Sequence, residues 1–269
     1  MPEILSWDEF SYQKGKLAFI AQDFNTKKII TILDDRRQTT IRNHFFKYSK
    51  EARNKVKVVT VDMSGSCIPL TKLLFPNAKI VLDRFHIVQH MSRALNQTRI
   101  KIMKQFVVKS LEYRALKYYW KLIQKDSRKL SLKPFYSRTF RETLTPRECL
   151  NKMFKLVPEI KDYYDLYQLL LFHLQEKNSK QFFGLINDTL PHLNQTFKTA
   201  LNTFVRYKNH ITNAIELPYS NAKLEATNKL IKDIKRNAFG YKNFEHFKKR
   251  IFIALNTTKE KTSFVSSRI

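Results

Sequence analysis

The sequence predicts an α/β fold, a mixed sheet with flanking helices interrupted by a large all-helical insertion. Three observations carry that expectation. Short apolar runs bounded by turn residues fill the first 35 residues, and two further buried runs each follow a stretch of helical spacing. From about residue 92 to 216 a helical period dominates and Gly184 is the sole glycine, too little turn chemistry for strands of any number.

Ile4 to Phe10 is short and rich in apolar residues, and a polar break from Ser11 to Lys16 containing Gly15 makes it a strand followed by a turn. Leu17 to Ala21 and Ile29 to Leu33 are separated by the turn-like Asp23-Phe24-Asn25-Thr26, which completes a three-stranded antiparallel meander. From Gln38 to Lys50 the residues Ile41, Phe45, Phe46 and Tyr48 are spaced for one helix face, leading into a buried strand, Val56 to Val61, that ends at Asp62. Cys67 to Phe75 reads as a short helix stopped before Pro76, and Ile80 to Leu82 as a buried strand ending at Asp83.

After Phe85 the helical pattern runs through Ile87 to Leu95 and on, with breaks near Pro134, Pro146, Pro158, Pro191 and Pro218. Beyond Pro218, Ser220 or Asn221 can cap a helix reaching about Asn237, before Gly240. Leu224, Thr227, Ile231 and Ile234 recur at inward spacing, while Glu225, Asn228 or Lys229, Lys232 and Arg236 share a neighbouring stripe. The expected organisation is a core in two parts, residues 1–91 and 217–269, split by the insertion at 92–216.

Lysine and arginine number 50 against 23 aspartate and glutamate, a formal charge of +27. Solubility needs only roughly 2–8 net charges in a small domain, so a polyanion partner is expected, with nucleic acid favoured over a merely soluble surface. Cys67 and Cys149 are the only cysteines and are far apart, which argues against a disulfide scaffold or a cysteine zinc site. No apolar run is long enough to span a bilayer and no signal peptide is visible, so the reading is cytosolic with no membrane partner.

Asp8 lies in the first strand and Asp62 ends the fourth, and in a sheet of this order those strands are neighbours. Two carboxylates held side by side repel unless a cation neutralises them, and oxygen-only ligands select a hard ion such as magnesium or manganese. Glu225, on a helix packed across the sheet, would supply a third. Two such ions roughly 4 Å apart suit phosphodiester cleavage by in-line displacement. Taken singly, an aspartate at a strand end is more often a turn or cap and Glu225 a solvated helix residue; only the three together favour catalysis.

Val61-Asp62-Met63-Ser64, Phe75-Pro76-Asn77-Ala78-Lys79-Ile80-Val81 and Asp83-Arg84-Phe85-His86 resemble the insertion-sequence L-three (IS-L3) transposases. So do Ser220-Asn221, Glu225-Ala226-Thr227-Asn228-Lys229, Ile231-Lys232 and the run from Lys235 to Phe244, and, in a shorter match, Trp7-Asp8-Glu9-Phe10. The resemblance spans essentially the whole chain. It implies an RNase H-like fold whose catalytic and metal-binding triad is Asp8, Asp62 and Glu225, with two Mg²⁺ ions that Mn²⁺ can replace. The implied chemistry is nicking at transposon ends followed by attack of the freed 3′-hydroxyl on target DNA, in a bacterial, nucleoid-associated setting, by a homodimer on paired ends.

Asp83 and His86 look like an Asp-x-x-His motif beside the DNA, or else a hydrogen-bonded support for the strand end, with Arg84 between them. His86 and His90 are four apart on a helix, yet lack a third ligand nearby in sequence for zinc. Asn228, Lys229, Lys232, Lys235 and Arg236 are the residues expected to meet DNA. Tyr113, Tyr118, Tyr119 and Trp120, and Tyr163, Tyr164 and Tyr167, could stack on bases, but core packing is the favoured reading. Members of the family usually carry an N-terminal zinc-binding and helix-turn-helix region that recognises transposon ends, and that region is expected to be absent from this polypeptide. Two competing functions remain: a transposase-derived DNA-binding protein without catalysis, and an RNase H-type nuclease without strand transfer.

Overall fold

The computed structural model describes residues 1–65 and 67–257. In chain order its elements begin with β1 (Ile4–Gln13), β2 (Lys16–Asp23), β3 (Ile29–Leu33), α1 (Gln38–Phe45), α2 (Lys50–Asn54), β4 (Val58–Val61), α3 (Cys67–Leu74) and β5 (Lys79–Leu82). There follow α4 (Arg84–Met103), α5 (Leu111–Tyr118), α6 (Trp120–Gln124), β6 (Phe135–Ser137), β7 (Glu142–Leu144), α7 (Pro146–Leu156), α8 (Pro158–Gln175) and α9 (Ser179–Thr189). The last are α10 (Gln195–Arg206), α11 (Lys208–Glu216), α12 (Ala222–Asn237) and α13 (Phe244–Asn256). Two compact units result, residues 1–83 with 219 onward, and residues 84–218.

The first unit is a mixed five-stranded sheet in the order β3-β2-β1-β4-β5, antiparallel on the β3-β2-β1 side and parallel from β1 to β5. Strand alternation gives β1 two different faces. Trp7 points to the face covered by α1 and α3, where its ring lies 5.3 Å from Phe19, 5.4 Å from Phe45 and 5.7 Å from Phe75. Phe10 points to the other face, where Ala18, Ile20, Ile29 and Ile32 meet Leu224 and Ile231 of α12 and Phe247 and Ile251 of α13. Burying each of these large apolar side chains contributes about 1.5–3 kcal/mol, which fixes α12 firmly on the sheet.

The expected helix from Gln38 to Lys50 is two helices. The first ends at Phe45, and Ser49, accepting a 3.2 Å hydrogen bond from the Ala52 amide, caps the start of α2.

The second unit is built on α4, which packs against α8 and α10. Pro146 and Pro158 stand at helix starts, where a missing amide costs nothing, and Thr145 with Glu148 forms a capping box before α7. Tyr163, Tyr164 and Tyr167 are buried on α8, as packing predicted, whereas Tyr118 is 61% and Trp120 37% exposed. The unit is not purely helical: β6 and β7 form a two-stranded antiparallel hairpin around residues 135–144, too short for an alternation signal to stand out in the sequence. No helix among the described residues is long and apolar enough to cross a membrane.

Candidate active site

The parallel half of the sheet brings three aspartates into one row. β1 pairs with β4 as Ile4 to Val58, Leu5 to Val59 and Ser6 to Thr60, and continuing that register sets Asp8 beside Asp62. β4 pairs with β5 from Val58 with Lys79 to Val61 with Leu82, and the next step sets Asp62 beside Asp83, whose amide donates to Val61 O at 2.9 Å. Adjacent strands lie about 4.8 Å apart, so the row is as tight as a sheet allows. Asp62 and Asp83 present carboxylate oxygens within 4.8 Å of one another, and Asp83 is 4% exposed. Asp8 and Asp62 also line a cavity of about 190 Å³, together with Trp7, Glu9, Ser64 and Cys67. At its edge Arg36 forms a 2.8 Å ion pair with Glu9.

The helix α12 is tied to this row by buried amides. Asn221 occupies the N-cap position but makes no capping bond. Its side chain, 1% exposed, instead donates from Nδ2 to Trp7 O at 2.9 Å and accepts at Oδ1 from the Thr60 hydroxyl at 2.5 Å. Two turns later Asn228 donates from Nδ2 to Asp8 Oδ2 at 2.6 Å. Asp8 Oδ1 accepts from the Glu9 amide at 2.7 Å, so both of its oxygens are oriented by donors. Lys223 adds a 2.9 Å bond to Phe24 O, and Gln22 bonds Thr227 at 2.8 Å.

Glu225, half-buried, stands four residues after Asn221 and three before Asn228, hence on the same stripe of α12 between the two anchors. The two asparagines of that stripe meet Trp7 O and Asp8 of β1 and Thr60 of β4. From the sequence, Asn221 is a candidate cap and Asn228 a candidate DNA contact, and neither anchor to the sheet is foreseen. The signal available for both was a polar residue repeated at the spacing of one helix face, flanking Glu225.

The remaining residues divide by exposure. Lys229, Lys232 and Arg236 are exposed on the outer side of α12, with Arg236 3.0 Å from Asp233, and Lys235 is half-buried. Asn228 does not share that outer stripe; it is 7% exposed. Arg84 donates from Nε to Ala214 O at 2.6 Å and from Nη2 to Leu217 O at 2.8 Å, closing the end of α11. His86 lies in the first turn of α4. His90, on the same helix, packs its ring 5.6 Å from Phe204, and burial followed by nearby Arg93 lowers its pKa.

A mixed α/β sheet carrying a row of carboxylates at the C-terminal ends of its parallel strands defines the class of protein. The profile of a transposase family, the IS-L3 transposases, matches residues 5–251, and the chain belongs to that family. Among curated proteins it is 26% identical over 259 residues to a "Transposase for insertion sequence element IS1001" of Bordetella parapertussis, covering 91% of this chain and 59% of the relative. It is also 36% identical over 110 residues to an "ATP-dependent protease" of Lactococcus lactis subsp. lactis, covering 41% of this chain and 35% of that protein. The chain thus spans less than two thirds of the length of either relative. No solved structure matches significantly.

Proposed function

We propose that this chain is the catalytic core of a DNA transposase, which nicks DNA at transposon ends and transfers the 3′-hydroxyl strand into target DNA. In this reading the sheet order and the helix crossing it are those of an RNase H-like fold, residues 84–218 are the insertion, and Asp8, Asp62 and Glu225 are the DDE triad. What supports it is the β1–β4 register, which continued two residues sets Asp8 beside Asp62 in one cavity, with Glu225 between the two asparagine anchors in the sequence of α12.

The residues fit a hard divalent cation. The three proposed ligands are carboxylates, Asp62 has the Asp83 carboxylate within 4.8 Å, and Asn228 Oδ1 is a buried acceptor with no hydrogen-bond partner. Asp8, Asp62 and Glu225 would hold magnesium or manganese, with Asp83 adjoining Asp62 as a further carboxylate. Such ions, when bound, activate the attacking oxygen and stabilise the leaving oxygen of an in-line displacement. The protein's own part is to hold Asp8 in one orientation through Asn228 and Glu9, to fix the height of Glu225 over the sheet through Asn221, and to back the site with the Trp7 cluster. Lys229, Lys232 and Arg236 face solvent from the helix that bears Glu225 and are suited to phosphate; an exposed ion pair such as Arg236 with Asp233 is worth only about 0–1 kcal/mol and exchanges readily for a phosphate oxygen. A homodimer on paired ends belongs to the same proposal.

The test is nicking of transposon-end DNA by the purified chain with Mg²⁺ or Mn²⁺, scored for joining of labelled 3′ ends to target. Asp62→Asn is expected to abolish cleavage while leaving salt-dependent DNA binding in place. Persistent nicking by that variant overturns the triad; hydrolysis without joined products turns the reading to a nuclease.

A further inference from the structure

Phe239 combines an uncommon backbone with full exposure. Its φ of 52° lies in the left-handed region, and the other non-glycine residues there, Lys27, Lys109, Arg141 and Lys177, are all cations. The residue is fully exposed. The backbone has reason to turn: the Phe239 amide donates to Arg236 O at 3.0 Å and the Gly240 amide to Lys235 O at 2.9 Å, a Schellman ending for α12 that requires one left-handed residue. Glycine is favoured at that position, yet the glycine comes one residue later and phenylalanine takes the crowded site.

The segment around it is anchored. Tyr241 stacks on Phe247 at 4.7 Å, Phe244 meets Tyr12 at 4.8 Å, and Gln13 Nε2 donates to Tyr241 O at 3.3 Å. Two of the three aromatic residues between 239 and 244 therefore pack against the core, while the third is held out in water on a fixed turn. Backbone crowding without burial gives the fold nothing in exchange, and outliers of this kind concentrate where a ligand supplies the missing contact.

We propose that Phe239 is a stacking platform for an unpaired nucleobase of the DNA substrate. This rests on the DNA-binding part of the function proposed above. A lone ring between Lys235 and Arg236 on one side and exposed Lys242 on the other offers what single-stranded nucleic acid needs, a π-face for the base and cations for its flanking phosphates.

The experiment measures binding of the full chain to a fluorescent single-stranded oligonucleotide and to its duplex, across a salt series, together with thermal unfolding. Phe239→Gly is expected to weaken single-strand binding on the order of tenfold to a hundredfold, with duplex binding unchanged. Its salt slope should equal that of the unaltered chain because no phosphate contact is removed, and its melting temperature should hold or rise because glycine relieves the left-handed turn. Phe239→Trp should retain single-strand affinity. Unchanged single-strand binding by Phe239→Gly, or equal losses on both probes with a lowered melting temperature, overturns the platform. If the unaltered chain binds neither probe, the DNA reading itself falls; if only the catalytic assignment is wrong, Asp62→Asn and the unaltered chain will bind both probes alike and nick alike.

Discussion

Asn228 of α12 donates a 2.6 Å hydrogen bond to Oδ2 of Asp8, a residue 220 positions away in the sequence. With the Glu9 amide donating to Oδ1, both oxygens of the Asp8 carboxylate are oriented by donors. The orientation of the amide follows from charge: turning it over would set Oδ1 against an ionised carboxylate. Groups that orient a metal ligand typically matter by 10- to 100-fold in metal affinity. Asn228→Ala is therefore expected to weaken Mn²⁺ binding, followed by titration calorimetry, by about tenfold or more, with a parallel fall in the rate of nicking and little change in DNA affinity. Mn²⁺ binding as tight as in the unaltered chain would separate Asn228 from the site.

Much of this arrangement was readable beforehand because it depends on strand order and periodicity. β1, β2 and β3, the buried strands before Asp62 and Asp83, and the inward face of Leu224, Thr227 and Ile231 all follow from runs of apolar residues. What escaped the reading depends on where a polar side chain goes in three dimensions. Asn221 stands where a cap belongs, but burial beside Thr60 and Trp7 O offers it two partners within the sheet, and these outcompete the helix amides. Arg84 reaches the carbonyls of Ala214 and Leu217, 130 and 133 residues on, a pairing that no local spacing reveals. The left-handed turn at Phe239 was hidden by Gly240, the residue at which local rules would put it.

The two cysteines give a direct chemical probe of this geometry. Cys149 is fully buried in α7, and burial pushes its thiol up to about 12, which leaves almost no thiolate at neutral pH. Cys67 is half-buried and lines the cavity that holds Asp8 and Asp62. In the native protein a thiol reagent such as Ellman's is expected to titrate Cys67 alone, and to reach Cys149 only on denaturation. Alkylation at Cys67 should obstruct the cavity and depress nicking, and Cys67→Ser should be insensitive to the reagent. Prompt reaction of both thiols in the native state would contradict the burial of α7.

Mild acid should weaken the fold through two half-buried histidines. His90 is pushed below the usual histidine pKa by burial and then by Arg93, and His44 by burial and then by Lys47 and Lys248. Both are thus held neutral in the folded chain at pH values where they would already be charged once unfolded. The sign follows: the unfolded state takes up protons first as pH drops through about 6.5, so the stability present above that value declines until the folded-state pKa values are passed. Thermal midpoints measured from pH 8 to pH 5 should fall over the lower half of that range. His90→Gln, which retains a polar side chain of similar reach beside Phe204, should flatten the decline relative to the unaltered chain. A midpoint that rises on acidification, or an unaltered slope in both His90→Gln and His44→Gln, would show that neither ring is kept neutral by the fold.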